Sequence, residues 1–414
     1  MASVNRPLRI ALLSYRSKPH SGGQGVYVRH LSRELAARGH HVEVFSGQPY
    51  PELDDGPVLR ELPSLDLYRD DDPFRTPRLA ELRDWADALE VAMMWGGAFP
   101  EPLTFSVRAL RALRARRGDF DIVHDNQGLG YGMLGVRRLG LPLVTSIHHP
   151  ITVDRRLDLA GRNWLERLNK GRWYGFVRMQ GRVARRAGPL ITVSSSAQAD
   201  IGRDFRVNHG CVHIIPLGVD TRLFRPPAEQ ARVPGRIVTV TSADSPLKGL
   251  PVLLRAVAKL ATEREAHLVV VGTPSDATRQ QVAQLALGDR VTFVGGLPDA
   301  EYARVLASAA VAVIPSLYEG FSLPAVEHMA SGTPLVASRA GALPEVTGDA
   351  ALLVPPGDPE ELSAALRDLL DDEQARARLA ARGLARVRER FAWPAVAAAT
   401  EALYRKVIGG EPGC

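Results

Sequence analysis

The chain has 414 residues, of which 45% are hydrophobic and 24% charged, and a formal net charge of +6. That length exceeds one ordinary hydrophobic core and predicts two or three domains of a globular protein. No apolar stretch approaches the roughly 18 residues of a membrane-crossing helix, so a spanning segment is not expected. The positive balance admits an anionic partner without naming one. Cys211 and Cys414 are the only cysteines, far apart and without metal-like spacing, which fits a reducing cytoplasm.

In chain order, residues 9–15 read as a strand, too short for a signal-peptide core. Residues 26–38 follow as a helix with Val28, Leu31 and Leu35 on one face, stopped by Gly39. Further strands are expected at 41–45, 120–124, 142–148 and 190–193, with helical stretches between. Residues 48–77, rich in proline and aspartate, form an irregular excursion with one short strand at 58–62. Arg108, Arg111, Arg114, Arg116 and Arg117 share one predicted helix, whose Leu103, Val107, Leu110 and Leu113 repeat at helical spacing. A second basic segment, 155–186, interleaves Trp164, Trp173, Tyr174 and Phe176. It belongs to a helical region after Pro150 that is longer than a plain crossover and is expected to shape a pocket. A solvated helix face is the simplest account of both basic runs, and no nucleic-acid motif accompanies either. An anionic membrane surface or an anionic acceptor is the other reading.

Phe224-Arg225-Pro226-Pro227 and Val233-Pro234-Gly235 read as a proline-rich linker. Strands are then expected at 236–241, 267–271, 291–294, 311–314, 334–337 and 351–354, separated by helices such as 250–264 and 300–309. An amphipathic helix at 394–408 closes the chain. Such alternation predicts an α/β protein of two doubly wound parallel sheets with right-handed crossovers. The domains are expected at 1–225 and 232–393.

Open parallel sheets bind ligands beyond the carboxyl ends of their strands. Four features fall there. Ser21-Gly22-Gly23-Gln24-Gly25 follows the first strand, and His148 ends the strand at 142–148. Lys248-Gly249 opens the helix after 236–241. Glu319-Gly320-Phe321-Ser322-Leu323-Pro324-Ala325-Val326-Glu327 follows 311–314. Two features come from each half, so a cleft between facing domains would collect all four.

Pro324 suits a first helical turn, which sets Glu319 on the loop and Glu327 about one turn into the helix. Both carboxylates would lie beside backbone N–H groups that favour anions. Carboxylates for hydroxyls next to a phosphate-binding backbone suit a nucleotide sugar. Glycines 22, 23 and 25 permit close approach to a ligand, and Lys248 is a point charge for a departing diphosphate. His148 could donate to a sugar hydroxyl or accept a proton. Each residue singly also has a plain structural reading as dipole partner, turn or strand end; their convergence is what points to a site. The glycine loop lacks G-x-G-x-x-G spacing, and the second strand runs into Ser46-Gly47, so NAD is not expected. Asp119-Phe120-Asp121 reads as a strand entry, and no metal site is expected.

On these residues nearly the whole chain resembles glycosyltransferase family 4, the large retaining family with the GT-B fold of two Rossmann-like domains. The most specific parts are Glu319 to Glu327, the preceding Pro315-Ser316-Leu317-Tyr318, Gly332-Thr333-Pro334, and Gly341-Ala342-Leu343-Pro344-Glu345-Val346. The resemblance implies that Glu319 contacts the donor sugar, Glu327 the ribose and Lys248 the diphosphate. It implies His148 near the donor sugar, and Gly22 and Gly23 as the N-terminal glycine pair. The substrate-binding set it implies is Gly22, Gly23, Lys248, Glu319, Gly320, Phe321, Ser322, Leu323 and Glu327, with His148, Lys248 and Glu319 as catalytic residues. The closing segment, 394–414, resembles the one that packs back on the first domain. The implied activity is transfer of a sugar from a nucleoside-diphosphate sugar to an acceptor hydroxyl with retention. No further cofactor and no protein nucleophile are implied.

One departure stands out. The family usually carries an arginine five or six positions before the lysine, and here those positions are Ala243 and Ser242. Loss of a cation that stabilises the leaving group motivates one rival, a non-catalytic scaffold; a second is a sugar-nucleotide epimerase on the same fold, which would need no acceptor. The expected partners are the nucleotide sugar and an acceptor sugar, glycolipid or small molecule. The basic aromatic segment adds peripheral contact of a cytoplasmic protein with an anionic inner-membrane surface.

Overall fold

The computed structural model describes residues 6–18, 23–69, 71–148, 151–159, 163–227, 232–241 and 246–410. Gly22, Ser242 and Ala243 lie outside the described residues. The chain divides into two compact units. Met1–Val193, Ala197–Ile215 and Val396–Cys414 make the first, and Ser194–Ser196 with Pro216–Ala395 the second.

The first unit opens with β1 (Arg9–Ser14), α1 (Gln24–Ala37), β2 (His41–Ser46) and β3 (Val58–Glu61). A small antiparallel pair, β4 (Tyr68–Arg69) and β5 (Asp72–Pro73), precedes α2 (Trp85–Trp95) and α3 (Glu101–Ala115). Next come β6 (Ile122–Asn126), α4 (Gly132–Arg138), β7 (Leu143–Ser146), α5 (Thr152–Leu159), α6 (Trp164–Trp173) and α7 (Gly175–Ala184). The unit's sheet is completed by β8 (Leu190–Thr192), α8 (Ser195–Phe205) and β9 (Val212–Ile214). The order is β3-β2-β1-β6-β7-β8-β9, parallel throughout. Helices cover the sheet, and its central strand β1 is buried along all but its first residue. Ala11, Leu13, Val123, Leu143 and Leu190 pack with Phe105, Ala109 and Leu113 of α3 and Met133 of α4.

The second unit alternates β10 (Val233–Val240), α9 (Leu250–Leu260), β11 (His267–Val271), α10 (Asp276–Gln284), β12 (Val291–Val294) and α11 (Asp299–Ala307). It continues through β13 (Ala309–Ile314), α12 (Leu323–Ala330), β14 (Leu335–Ser338), α13 (Leu343–Thr347), β15 (Ala351–Val354), α14 (Pro359–Asp371) and α15 (Glu373–Arg386). The sheet order is β12-β11-β10-β13-β14-β15, again parallel. A final helix, α16 (Trp393–Ile408), carries the chain back into the first unit.

Several expectations need correction. Val233-Pro234-Gly235 is not linker but the start of β10. A register irregularity between Val233 and Ile237 accommodates the proline and Gly235, whose φ is 70°. The strand β9 was not expected; three residues at a sheet edge are too short for a periodic signal. The basic helix stops at Ala115, so Arg116 and Arg117 lie beyond it. Nor is its basic face simply solvated. Arg108 is nearly buried and bridges Asp87 at 2.6 Å and Glu90 at 2.8 Å, while Arg116 pairs with Glu43 at 2.8 Å. Arg108 thus neutralises carboxylates where α2 and α3 pack. The aromatic residues of the second basic segment divide: Trp173 packs among Tyr68, Phe74 and Phe99, whereas Trp164 is 68% exposed. No helix among the described residues is long and apolar enough to cross a membrane.

Candidate functional site

In each sheet the strand order reverses at one point, between β1 and β6 in the first unit and between β10 and β13 in the second. A crevice opens where neighbouring crossovers leave to opposite faces. Lys248 follows β10, and Glu319 follows β13, so the second reversal brings these two together. The Lys248 Nζ donates to Glu319 Oε1 at 2.9 Å, and Ser316 Oγ donates to the same oxygen at 2.8 Å.

The backbone explains why the two loops meet. Leu317 N–H donates to the Leu247 carbonyl at 2.7 Å. Gly249 is left-handed with φ 68°, and a Cβ there would lie 2.0 Å from the Pro315 carbonyl oxygen. Gly341 is equally constrained: its φ is 53°, and a Cβ would come within 2.2 Å of the Glu319 carbonyl oxygen. The Ala342 N–H donates to that carbonyl at 2.9 Å. Both glycines allow backbone to approach backbone and so fix Glu319, which is 7% exposed.

The loop into α12 carries the rest of the predicted set. Gly320 offers its carbonyl to Ser194 Oγ at 2.6 Å. The Phe321 ring is buried edge-on against Phe391, 5.8 Å between centroids, so only its backbone can face a ligand. Ser322 is the N-cap residue with φ 78°, and its buried hydroxyl has no hydrogen-bond partner among the described residues. Leu323 and Pro324 begin the helix, whose first-turn N–H groups lack intrahelical acceptors and favour an anion.

Glu327 lies one turn further on and is 8% exposed. Its Oε2 accepts from the Tyr302 hydroxyl of α11 at 2.5 Å. Burial pushes its carboxyl up to about 7; the Tyr302 bond pulls down and Asp299 adds to the rise. Tyr302 and Ser316 are partners that the sequence reading missed. Tyr302 shows there only as one residue of an amphipathic helix.

In the first unit, Gly23 caps α1 with φ 72°, and a Cβ on Gly25 would strike the Lys18 carbonyl oxygen at 2.1 Å. His148 follows β7, and its ring is held from two sides. Its Nε2–H donates to Asn126 Oδ1 at 2.7 Å, and Tyr27 meets the ring edge-on at 4.4 Å. The His148 N–H also donates to Gln127 Oε1 at 3.0 Å. Burial lowers the imidazole pKa to about 4, so the ring is neutral near pH 7. Its Nδ1 is left as a bare acceptor with no partner among the described residues. Such a ring can accept from a hydroxyl but is a weak base.

Asn126 ends β6 and Gln127 follows it, at the reversal of the first sheet, and sequence reasoning missed both. The signal available was the polar run Asp125-Asn126-Gln127 closing an apolar strand. Below it, His124 is buried with Nδ1 2.6 Å from the Tyr404 hydroxyl and Nε2 2.6 Å from Ser146 Oγ. Asp119-Phe120-Asp121 sits at the opposite strand ends: Asp121 accepts from Arg9 N–H at 2.9 Å and pairs with Arg6 and Arg9.

Residues 21–223 match the family described as Glycosyltransferase Family 4, and residues 234–372 match Glycosyl transferases group 1. The chain is 55% identical to the MMP alpha-(1->4)-mannosyltransferase of Mycolicibacterium hassiacum, over 98% of this chain and all of that one. It is 30% identical to the D-inositol 3-phosphate glycosyltransferase of Streptomyces avermitilis, over 97% of this chain and 88% of the relative. Among solved structures, sucrose-phosphate synthase from Thermosynechococcus elongatus superimposes with a TM-score of 0.67 at 26% identity, covering 98% of this chain and 100% of that one. Anabaena HepE, in complex with UDP and glucose, gives a TM-score of 0.68 at 17% identity, covering 96% of this chain and 99% of that one.

Proposed function

Because the chain belongs to glycosyltransferase family 4, we propose that it moves a mannosyl residue from a nucleoside-diphosphate mannose to an acceptor hydroxyl. The product is an α-(1→4) linkage formed with retention at the anomeric carbon. The observation that carries this reading is the Lys248–Glu319 pair at the sheet reversal, beside the N-terminus of α12. The choice of sugar and linkage rests on the relative with 55% identity along its full length. That likeness to a named transferase also weighs against the scaffold and epimerase readings.

The chemistry follows from the groups present. In the resting pair Glu319 holds the Lys248 ammonium; an entering diphosphate offers it denser negative charge. Lys248 and the helix N-terminus would then stabilise the charge that develops on the leaving diphosphate. Glu319, no longer shared, accepts from sugar hydroxyls, and Glu327 accepts from the ribose. The neutral His148 accepts a hydroxyl hydrogen through Nδ1 and so orients a sugar; its low basicity argues against proton abstraction at that ring. Deprotonation of the acceptor then falls to the leaving phosphate, as a front-face retaining reaction requires. A sugar nucleotide of mannose is α-linked, so an α-linked product means retention.

The test is a transfer assay with GDP-, UDP- and ADP-linked mannose and an α-mannoside acceptor, with the new anomeric centre read by NMR. An α product from one donor, reduced at least about a hundredfold in Lys248→Ala while unfolding stays cooperative, is the expected result. A β product would overturn retention. Undiminished transfer by Lys248→Ala would overturn the site.

A further inference from the structure

We propose that Tyr302 is a positioning residue for the donor's ribose, holding Glu327 by one carboxylate oxygen so that the other is presented to a ribose hydroxyl. The inference rests on the reading of Glu327 as the ribose contact and adds a residue that no motif of the chain announces.

The geometry carries it. Glu327 and Tyr302 come from neighbouring helices, α12 and α11, and their side chains meet at 2.5 Å between the Tyr302 hydroxyl and Oε2. That length marks a charge-assisted O–H···O⁻ bond. The phenol is the donor, because burial and the adjacent carboxylate raise its own pKa far above the ordinary value. Its ring is fixed in turn, edge-on to Phe224 at 5.7 Å, and Phe224 is itself buried. One face of the carboxyl is therefore committed to a rigid partner. The hydrogen bond to Tyr302 is made through Oε2, which leaves Oε1 as the oxygen to present to a ligand.

A lone glutamate at this depth would rotate and would also take up a proton. The ionisable groups that act on Glu327 are Tyr302 and Asp299, both on α11, and they act in opposite directions. Tyr302 favours the carboxylate; burial and Asp299 oppose it. Removing the phenol hydroxyl thus weakens ribose recognition twice. It frees the carboxyl to turn, and it raises the pH at which the carboxyl ionises.

The experiment is calorimetric titration of wild type, Tyr302→Phe and Glu327→Gln with GDP, UDP, ADP and dTDP, then with the 2′,3′-dideoxy form of the tightest ribonucleotide. Tyr302→Phe is expected to lose about tenfold in affinity for the ribonucleotide. The dideoxy form should bind wild type and variant alike, a result that a merely structural role for Tyr302 would not give. Wild-type affinity should rise between pH 6 and 8, with the midpoint moved upward in Tyr302→Phe. Glu327→Gln should show the same selective deficit, and the double variant should add little to it. Equal weakening of both nucleotide forms, or of neither, overturns the proposal. A wild type that binds none of the four diphosphates overturns the donor-site reading itself, and this inference with it.

Discussion

Glu327 and Glu101 are both buried carboxyls raised to about 7, each chiefly by burial, yet they differ in what opposes it. Glu101 has the Arg16 guanidinium at 3.0 Å, whereas Glu327 has only a neutral phenol. A carboxyl that holds its proton longer in the folded chain than in the unfolded one makes stability fall as pH rises. For Glu327 the loss begins near its ordinary value of 4.5 and is complete above about 7. The displacement corresponds to about 3 kcal/mol. Glu327→Gln keeps the shape and can still accept from Tyr302, but it removes the titration. Its Tm is therefore expected to match wild type near pH 4.5 and to exceed it by several degrees at pH 8. Thermal unfolding of both proteins across that range decides the matter; an offset independent of pH would show that Glu327 is not buried as a strained anion. A stabilising substitution that weakens the proposed ribose contact would be the usual signature of a functional group held at a cost.

At the scale of elements, the two loops of the second unit depend on glycine more than on any side-chain contact. Gly249→Ala would place a methyl group 2.0 Å from the Pro315 carbonyl oxygen in a left-handed conformation. Strain of about 1–3 kcal/mol follows, and the loops must part to relieve it. The expected outcome is a Tm several degrees lower and loss of diphosphate binding, because the loop that carries Lys248 is displaced from the loop before α12. Gly288→Ala is the control, since its φ is not positive and nothing lies within 4 Å of where its methyl group would stand. Equal Tm for both variants would refute the argument. These loops also show what the sequence could and could not reveal. Strands such as His267–Val271, Val291–Val294 and Ala351–Val354 were legible to the residue, because each is a short run rich in apolar and β-branched residues between helical stretches. From them followed the strand ends, and with those the places of Lys248, His148 and Glu319. Tyr302 and Asn126 stayed hidden because their roles depend on which element lies beside them, and sheet order is not written in local periodicity. The start of β10 was misread for the opposite reason: Pro234 and Gly235 are strong breaker signals, and the register irregularity that tolerates them is a tertiary accommodation.

For the whole molecule, the division into units makes a prediction about which half holds the donor. Pro216–Ala395 is roughly 180 residues, a length at which one core can sustain itself. It contains a complete six-stranded parallel sheet and its own apolar cluster, and it includes Lys248, Tyr302, Glu319 and Glu327. Its two ends are tied to each other. Val219 N–H donates to the Phe391 carbonyl at 2.8 Å, and a Cβ on Gly218 would lie 2.3 Å from the Trp393 ring. Cutting there should leave ends that do not fray. What the cut removes is Ser194–Ser196, and with it the bonds from Ser194 Oγ to the Gly320 carbonyl and from both the N–H and the hydroxyl of Ser195 to Glu345 Oε2. At about 1 kcal/mol each, their loss would weaken the loop before α12 without dismantling it. The fragment is therefore expected to unfold cooperatively and to bind the same nucleoside diphosphate as the full chain, with affinity reduced by roughly 150-fold at most. It should transfer no sugar, because His148 and Gly23 are absent. Denaturant unfolding and calorimetric titration of the fragment beside the full chain test both statements. A fragment that folds cooperatively yet binds no diphosphate, where the full chain does, would mean that the nucleotide is not held by the second unit alone, and the roles assigned to Lys248 and Glu327 would then have to be reassigned.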